Sequence, residues 1–392
     1  MLDSISVGMA GLNAFSQAIK VIGNNTANMN TPGFKGSTLQ FGDLVTAGSQ
    51  PGSTGFASTG AGVDTFNTIV NFKAGDLRQT GNDLDLAVNG QGFFMLKNDA
   101  GDTAYTRDGQ FQFDDKGVLI NSSDKSVVQG LDASGHVGNI DLTGLRINPP
   151  KASVNVSFTG NLSSAATDQT VSGINVLDAS GTTHELSIKL TSDAPTTPGS
   201  WQVSVLDGTT EIGTGTLLFT NGTPDPANSK ISVNYTPPGQ PLMALTLDLG
   251  TNVTSYATGN LSTLAFASQD GYQAGSISKL SFDATGFLNI EYSNGQSAKG
   301  KQIALARFDS DDSLVASGDN QFRASGAESP QVGAAQAGGF GALQSGYIEY
   351  SNVDLTSEFG DLVIMQRGYQ ASSQIVSTAN EMIEQLFSMK GK

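Results

Sequence analysis

Few residues in this chain are placed to do covalent chemistry. Its 392 residues include two histidines and no cysteine. That leaves little room for a Ser-His-Asp arrangement and none for thiolate catalysis or a Cys-based metal site. His184 has only Glu185 beside it at ligand spacing, which argues against a metal. Gly-x-Ser-x-Gly, Walker A and His-Glu-x-x-His motifs are missing. Gly90-Gln91-Gly92 precedes an apolar run and lacks the third glycine of a dinucleotide fingerprint. Asp83 and Asp85 form a candidate carboxylate pair, but without a positioned histidine they read as solvated charges at a strand edge. Asp108-Gly109 and Asp270-Gly271 read as turns, because the EF-hand spacing is absent. The expectation is no catalytic, cofactor or metal site.

The organising pattern lies at the two ends. Leu2, Ile5, Met9, Leu12, Ser16, Ile19, Gly23 and Thr26 alternate steps of three and four, with Phe15 and Ile22 widening the stripe. Leu362, Met365, Tyr369, Ser372, Val376, Ala379, Ile383 and Leu386 repeat the pattern. A period near 3.5 residues is that of a helix lying along another helix. The spans predict helices of ~40 Å and ~50 Å. Asp354 and Thr356 are candidate N-caps for the second. Gly360 and Gly368 each cost about 1 kcal/mol relative to alanine, so this second helix is not stable alone. The two either pair within one molecule or pack against copies.

Net charge is −16 and charged residues are 14% of the chain. That balance argues against nucleic acid and anionic membrane surfaces. The N-terminus lacks the basic region, continuous apolar core and small-residue site of a cleaved signal. No window of about 20 apolar residues is evident, so the expectation is no membrane insertion. Asn24, Asn25, Asn28 and Asn30 followed by Thr31-Pro32-Gly33 end the first helix. Residues 31–75 read as a loop-rich connector with sparse apolar anchors. From 76 to 145 short strands alternate with turns: Leu84–Val88, Phe93–Leu96, and two runs flanking Asp108-Gly109 read as a hairpin. Residues 146–272 read as an inserted all-β module, in which Trp201 is a core residue. Gly160-Asn161-Leu162-Ser163 and its echo at 259–262 mark the module's crossing points. Phe282–Leu288 echoes Phe113–Leu119, so 76–145 and 273–349 form one split β-domain.

VIGNNTANMNTPGFKG resembles the N-terminal signature of the bacterial flagellar rod, hook and hook-associated axial protein family. The match rests on Asn24, Asn25, Ala27, Asn28, Asn30, Thr31, Gly33, Phe34 and Lys35. DLDLAVNGQGFFMLK with YTRDGQFQFDDKG is similar to that family's first β-domain. GALQSGYIEYSNVDLTSEFGDLVIMQRGYQ and its continuation resemble its C-terminal segment. Residues 146–272 carry no matching motif. The resemblance implies a mainly β multidomain fold with N- and C-terminal helices forming a coiled-coil-like inner domain. Its parts are 1–30 with 350–392, a connector 31–75, the split β-domain 76–145 with 273–349, and the inserted 146–272. It further implies a non-enzymatic structural subunit of the flagellar hook, a curved tube acting as a universal joint. Such a subunit assembles with itself, meets rod, cap and hook–filament junction proteins, and is exported through the flagellar apparatus without a cleaved signal. The alternatives are a distal rod subunit or, from another class, a secreted carbohydrate-active enzyme or adhesin. The expected assembly residues are Leu2, Ile5, Met9, Leu12, Ile19, Ile22, Leu362, Met365, Tyr369, Val376, Ile383 and Leu386.

Overall fold

The structure, a computed structural model, describes residues 2–47, 58–193, 196–310, 313–325 and 329–390. It is mainly β with a helix at each end, α1 (Leu2–Ala27) and α2 (Leu355–Lys390). Two compact units divide the chain. The larger holds residues 1–143, 280–290 and 299–392; the second holds 144–279 and 291–298.

α1 stops where its asparagines take over the backbone. The Asn28 N–H reaches the Asn24 carbonyl at 3.1 Å, and the Asn28 side-chain amide donates to the same oxygen at 2.9 Å. Pro32 then forbids continuation, and Gly33 turns the chain at φ 69°. At the other end Asp354 caps α2: its carboxylate accepts from the Thr356 N–H at 2.8 Å, satisfying a donor the helix leaves orphaned.

Residues 37–70 correct the expectation of a loop-rich connector. Two long strands, β1 (Ser37–Ala47) and β2 (Ser58–Val70), pair antiparallel from Ser37↔Val70 to Ala47↔Ser58, with bulges after Leu39 and Leu44. The run of Gly, Ser and Thr hides the period-2 signal. The Phe66 ring lies over Gly42 of the facing strand, where a Cβ would clash with it.

In the larger unit, Phe93–Lys97 lies between Thr103–Thr106 and Val127–Leu131 and also pairs with Leu305–Arg307. Phe93, Met95, Tyr105, Ala306, Phe308 and Phe322 form its core. Aromatic edges meet faces there, as at Tyr105–Phe308, with centroids 4.9 Å apart.

Two expectations fail in this region. Asp108-Gly109 is no hairpin turn: Thr103–Thr106 pairs with Phe93–Lys97 and Gln321–Ala324, while Phe111–Phe113 pairs with Leu119–Asn121. A Cβ on Gly109 would lie 1.7 Å from the Leu86 carbonyl oxygen, so glycine serves a close approach rather than a turn. Asp85 is buried rather than solvated, and accepts from the Asn82 amide at 3.1 Å.

The Phe113/Phe282 echo does reflect a shared device. In each copy the aspartate accepts the N–H of the glycine three residues on and of the residue after it, with that glycine at positive φ. The residues are Asp114 with Gly117 and Asp283 with Gly286.

The second unit is two sheets over one core. One carries Lys230–Tyr235, Met243–Thr254, Asn155–Asn161 and Ala265–Gln269; the other runs Asp168–Leu177, Thr183–Ser192, Ser200–Asp207 and Thr210–Thr220. Strict alternation in Lys230–Tyr235 puts Ile231, Val233 and Tyr235 inward. Trp201, 2% exposed, lies in this core. The two Gly-Asn-Leu-Ser segments both lie inside this unit, not at its boundaries.

Asp270 ties the entry to this unit. Its carboxylate accepts from the Val154 and Asn155 N–H groups at 2.8 Å each and from the Asn155 amide at 3.1 Å, with Lys151 at 3.5 Å. Partial burial raises its pKa, but the two N–H donors, the amide and Lys151 together bring it down to about 2. The folded value lies below an unfolded value of about 3.9, so this stability is present above that pH and is lost as pH falls through about 2. With the side chain 31% exposed, its contribution is about 1 kcal/mol. Asp270→Asn should therefore flatten the acid dependence of this unit's unfolding, followed by Trp201 fluorescence. An unchanged acid transition contradicts the assignment.

Candidate assembly site on the terminal helices

α1 and α2 pair within one molecule, and small residues let them do so. A Cβ on Gly8 would sit 2.7 Å from Val376 Cγ2, one on Gly11 2.6 Å from Ser372 Oγ, and one on Gly368 2.5 Å from the Phe15 ring. Ala14, Ala18 and Ile22 are buried on α1, as are Ser372 and Ala379 on α2. The line Gly8, Gly11, Phe15, Ala18, Ile22, Asn25 alternates three and four residues, one position out of step with the expected stripe.

A second side of α1 is covered by the β1–β2 hairpin. A Cβ on Gly62 would lie 3.2 Å from Ala10 Cβ, Thr65 Oγ1 donates to Gln17 Oε1 at 2.8 Å, and the Phe15 and Phe41 rings meet at 5.8 Å.

What remains outward is the stripe expected to be the seam. Met9 is 59% exposed, and Ile5, Leu12 and Ile19 are half-buried. Leu2 lies on the same stripe, but its side chain is outside the described residues. Of the expected α1 residues only Ile22 packs fully inside. The intramolecular seam uses small residues because close helix packing needs them, and that leaves the bulky stripe on the outer side.

On α2, Leu362, Met365, Val376 and Ile383 are half-buried beside Ser372 and Ala379, whereas Tyr369 and Leu386 stand exposed. A further stripe flanks that seam in solvent: Ile364, Ile375, Met382 and Met389 are between 47% and 76% exposed. Ile375 and Met382 line a shallow groove of about 550 Å³ with Ala371, Thr378, Ala379 and Ser4. By length and composition α1 is apolar enough to cross a membrane, contrary to expectation. Its Ile, Val, Leu, Met, Phe and Ala residues carry that average, interrupted mostly by glycines and uncharged polar residues.

The signature residues form the junction at the base of both helices. Asn25, 1% exposed, donates to the Ser37 carbonyl at 2.8 Å and to Glu358 Oε1 at 2.9 Å, and accepts from the Ser37 N–H at 2.9 Å. Burial, and less so the nearby Asp361, raise the Glu358 pKa against that bond. Gly33 donates to the Glu349 carbonyl at 2.8 Å, and a Cβ there would come within 2.4 Å of the Asp108 nitrogen.

Lys35 is the centre. Its ammonium meets Glu349 Oε1 at 2.5 Å and the Lys73 carbonyl at 2.8 Å, with both charged side chains fully buried. The other Glu349 oxygen accepts from Arg107 at 3.2 Å, and Arg107 also donates to the Val88 and Gly90 carbonyls. The Gly75 N–H adds a bond to Glu349 at 2.8 Å. One carboxylate thus joins the chain leaving α1, the strand entering α2 and the β-domain. Of the other signature residues, Asn24 and Asn28 bond each other at the end of α1, the Phe34 N–H donates to the Thr31 carbonyl at 3.3 Å, and Ala27 is exposed. Sequence analysis missed Glu349 and Arg107; the only available signal was their lying inside the resembling segments.

With this geometry in hand, comparison with known proteins is direct. Residues 5–35 match the family described as flagella basal body rod protein. Residues 87–164 match the flagellar hook protein FlgE/F/G D1 domain, and 344–389 the flagellar basal body rod FlgEFG protein C-terminal segment. The flagellar hook protein FlgE of Brucella melitensis is 30% identical over 399 residues, covering 98% of both chains. That of Treponema pallidum is 29% identical over 473 residues, covering all of both, and that of Escherichia coli is 28% identical over 425, covering 99% of this chain and all of its own. A solved structure of Helicobacter pylori flagellar hook protein FlgE2 aligns with a TM-score of 0.48 at 14% identity, over 69% of this chain and all of its own. The matched ends are the helices and their ion-paired junction, and the relatives run the chain's full length: it belongs to the flagellar hook protein FlgE family and is a structural subunit of the bacterial flagellar hook.

Proposed function

We propose that the outward stripes of the terminal helices are where copies of this chain join to build the hook. The observation that carries this is apolar surface left on the paired helices, with Met9 on α1 and Ile364, Ile375 and Met382 on α2 between 47% and 61% exposed. Ile5, Met9, Leu12 and Ile19 of one copy match the groove at Ala371, Ile375, Thr378 and Met382 of another in period and in chemistry. Burying each large side chain contributes about 1.5–3 kcal/mol, so burial summed along the stripes holds copies together.

The apolar character of α1 serves packing on protein, since two of its sides face α2 and the β1–β2 pair. The polymer is a curved, flexible tube that transmits torque from rod to filament. Its subunits do no enzymatic work, leave the cell unfolded through the flagellar export apparatus without a cleaved signal, and meet rod, cap and junction proteins at the tube's ends.

Electron microscopy of the full chain in a salting-out buffer tests this, because such salts strengthen apolar burial. Curved tubes are expected. Straight rigid tubes would return the distal rod reading, and the absence of any assembly would remove the self-association reading.

A further inference from the structure

Two carboxylates hold the signature turn between α1 and β1, and among the described residues no cation counters either of them. Asp108 is the first. It is 4% exposed and its backbone is pressed against Gly33. Its carboxylate accepts from the Gln110 N–H at 3.2 Å, the Asn121 amide at 3.2 Å and the Ser123 hydroxyl at 3.4 Å. Its chain neighbour Arg107 is engaged by Glu349, and the exposed Lys125 donates to the Ser122 carbonyl. The charge that does face Asp108 is another acid, Asp124.

Glu358 is the second. Half-buried in the first turn of α2, it accepts from the buried Asn25 amide at 2.9 Å. A cavity of about 260 Å³ lies beside it, walled by Ile22 and Asn25 of α1, Ser37 and Leu39 of β1, and Asp361 of α2. None of the described residues lining it is basic, and its one other charge is Asp361.

Taking a carboxylate out of water disfavours its charged form, and a second acid nearby disfavours it further. Burial is the leading cause at both groups and raises both pKa values, with Asp124 and Asp361 adding to it against the hydrogen bonds each group accepts.

We infer that the junction of the terminal helices with the β-domain is a proton-operated latch, which grips the signature turn more firmly when Asp108 and Glu358 are protonated. The folded values lie above unfolded values of about 3.9 and 4.3. The latch's contribution is therefore fully present below about pH 4 and is lost as the pH rises through the folded values. Asp270 in the second unit acts in the opposite sense. The latch does not depend on the self-assembly reading, although on that reading it holds the helices that carry the outward stripes.

Asp108→Asn combined with Glu358→Gln removes both protonation sites and nearly keeps their shapes. The test is thermal unfolding of the full chain and of this variant, followed at 222 nm between pH 4 and pH 8. The quantity read is the gap between their midpoints. It should move in the variant's favour by about 2–4 °C as the pH rises, because only the unchanged chain must then carry the two charges. Glu358→Gln alone, at the less buried site, should show part of that movement. A purely structural role gives an offset without a slope. A gap that stays constant with pH in both variants, or that moves in favour of the unchanged chain, overturns the latch.

Discussion

Glu349→Gln should destabilise the larger unit by about 3–5 kcal/mol, the largest single effect expected from a conservative change in this chain. The carboxylate receives Lys35 on one oxygen and Arg107 on the other, and the Lys35 and Glu349 side chains have no exposed surface. A neutral amide leaves two buried cations facing a group that cannot balance them and that turns N–H donors toward them. Removing one partner of a buried ionic network costs far more than the intact network contributes. The effect should be local. Trp201, the only tryptophan, reports on the second unit, so its urea transition stays in place while the far-ultraviolet circular dichroism transition of the larger unit moves down by on the order of 1 M. A circular dichroism transition that does not move contradicts the assigned role of the network.

The second large effect is one of sign. In an isolated helix, replacing glycine by alanine stabilises by about 1 kcal/mol. Gly23→Ala should do that here, because nothing lies within 4 Å of the added methyl. Gly368→Ala should do the opposite. Its methyl would meet three Phe15 ring atoms at 2.5, 2.6 and 2.9 Å, so α1 and α2 must part or the ring must move, costing about 1–3 kcal/mol. Phe15 cannot swing away freely, because its other side packs on Phe41 at 5.8 Å. Thermal unfolding followed at 222 nm separates the two substitutions. If Gly368→Ala stabilises as Gly23→Ala does, the helices are not held together through their small residues.

These two cases also show what the sequence makes legible. Helix ends were readable because the residues that stop a helix do so by local chemistry: Asp354 caps, the asparagine run competes for backbone groups, and Pro32 lacks a donor. The Asp-x-x-Gly turns at 114 and 283 were readable for the same reason. The facing of α1 was not, because a three-four pattern fixes a period and not a phase. The bulky stripe through Met9 and the small stripe through Gly11 fit equally well, and only the partner decides which turns inward. Pairing across distance was equally hidden. Asp108-Gly109 has the composition of a hairpin turn, yet the strands on its two sides belong to different pairs. Glu349 and Lys35 are 314 residues apart, and nothing local marks them as one site.

In the proposed assembly the α1–α2 seam makes the monomer and the outward stripes make the polymer. The most direct measurement is electron microscopy of Met9→Asp combined with Leu12→Asp beside the unchanged chain, with helicity of both checked at 222 nm before concentration. The expected result is unchanged helicity and no tubes, since both residues lie off the line of Gly8, Gly11 and Ala18 that faces α2. Tubes forming as readily as from the unchanged chain would contradict the claim and move the assembly site off the helices.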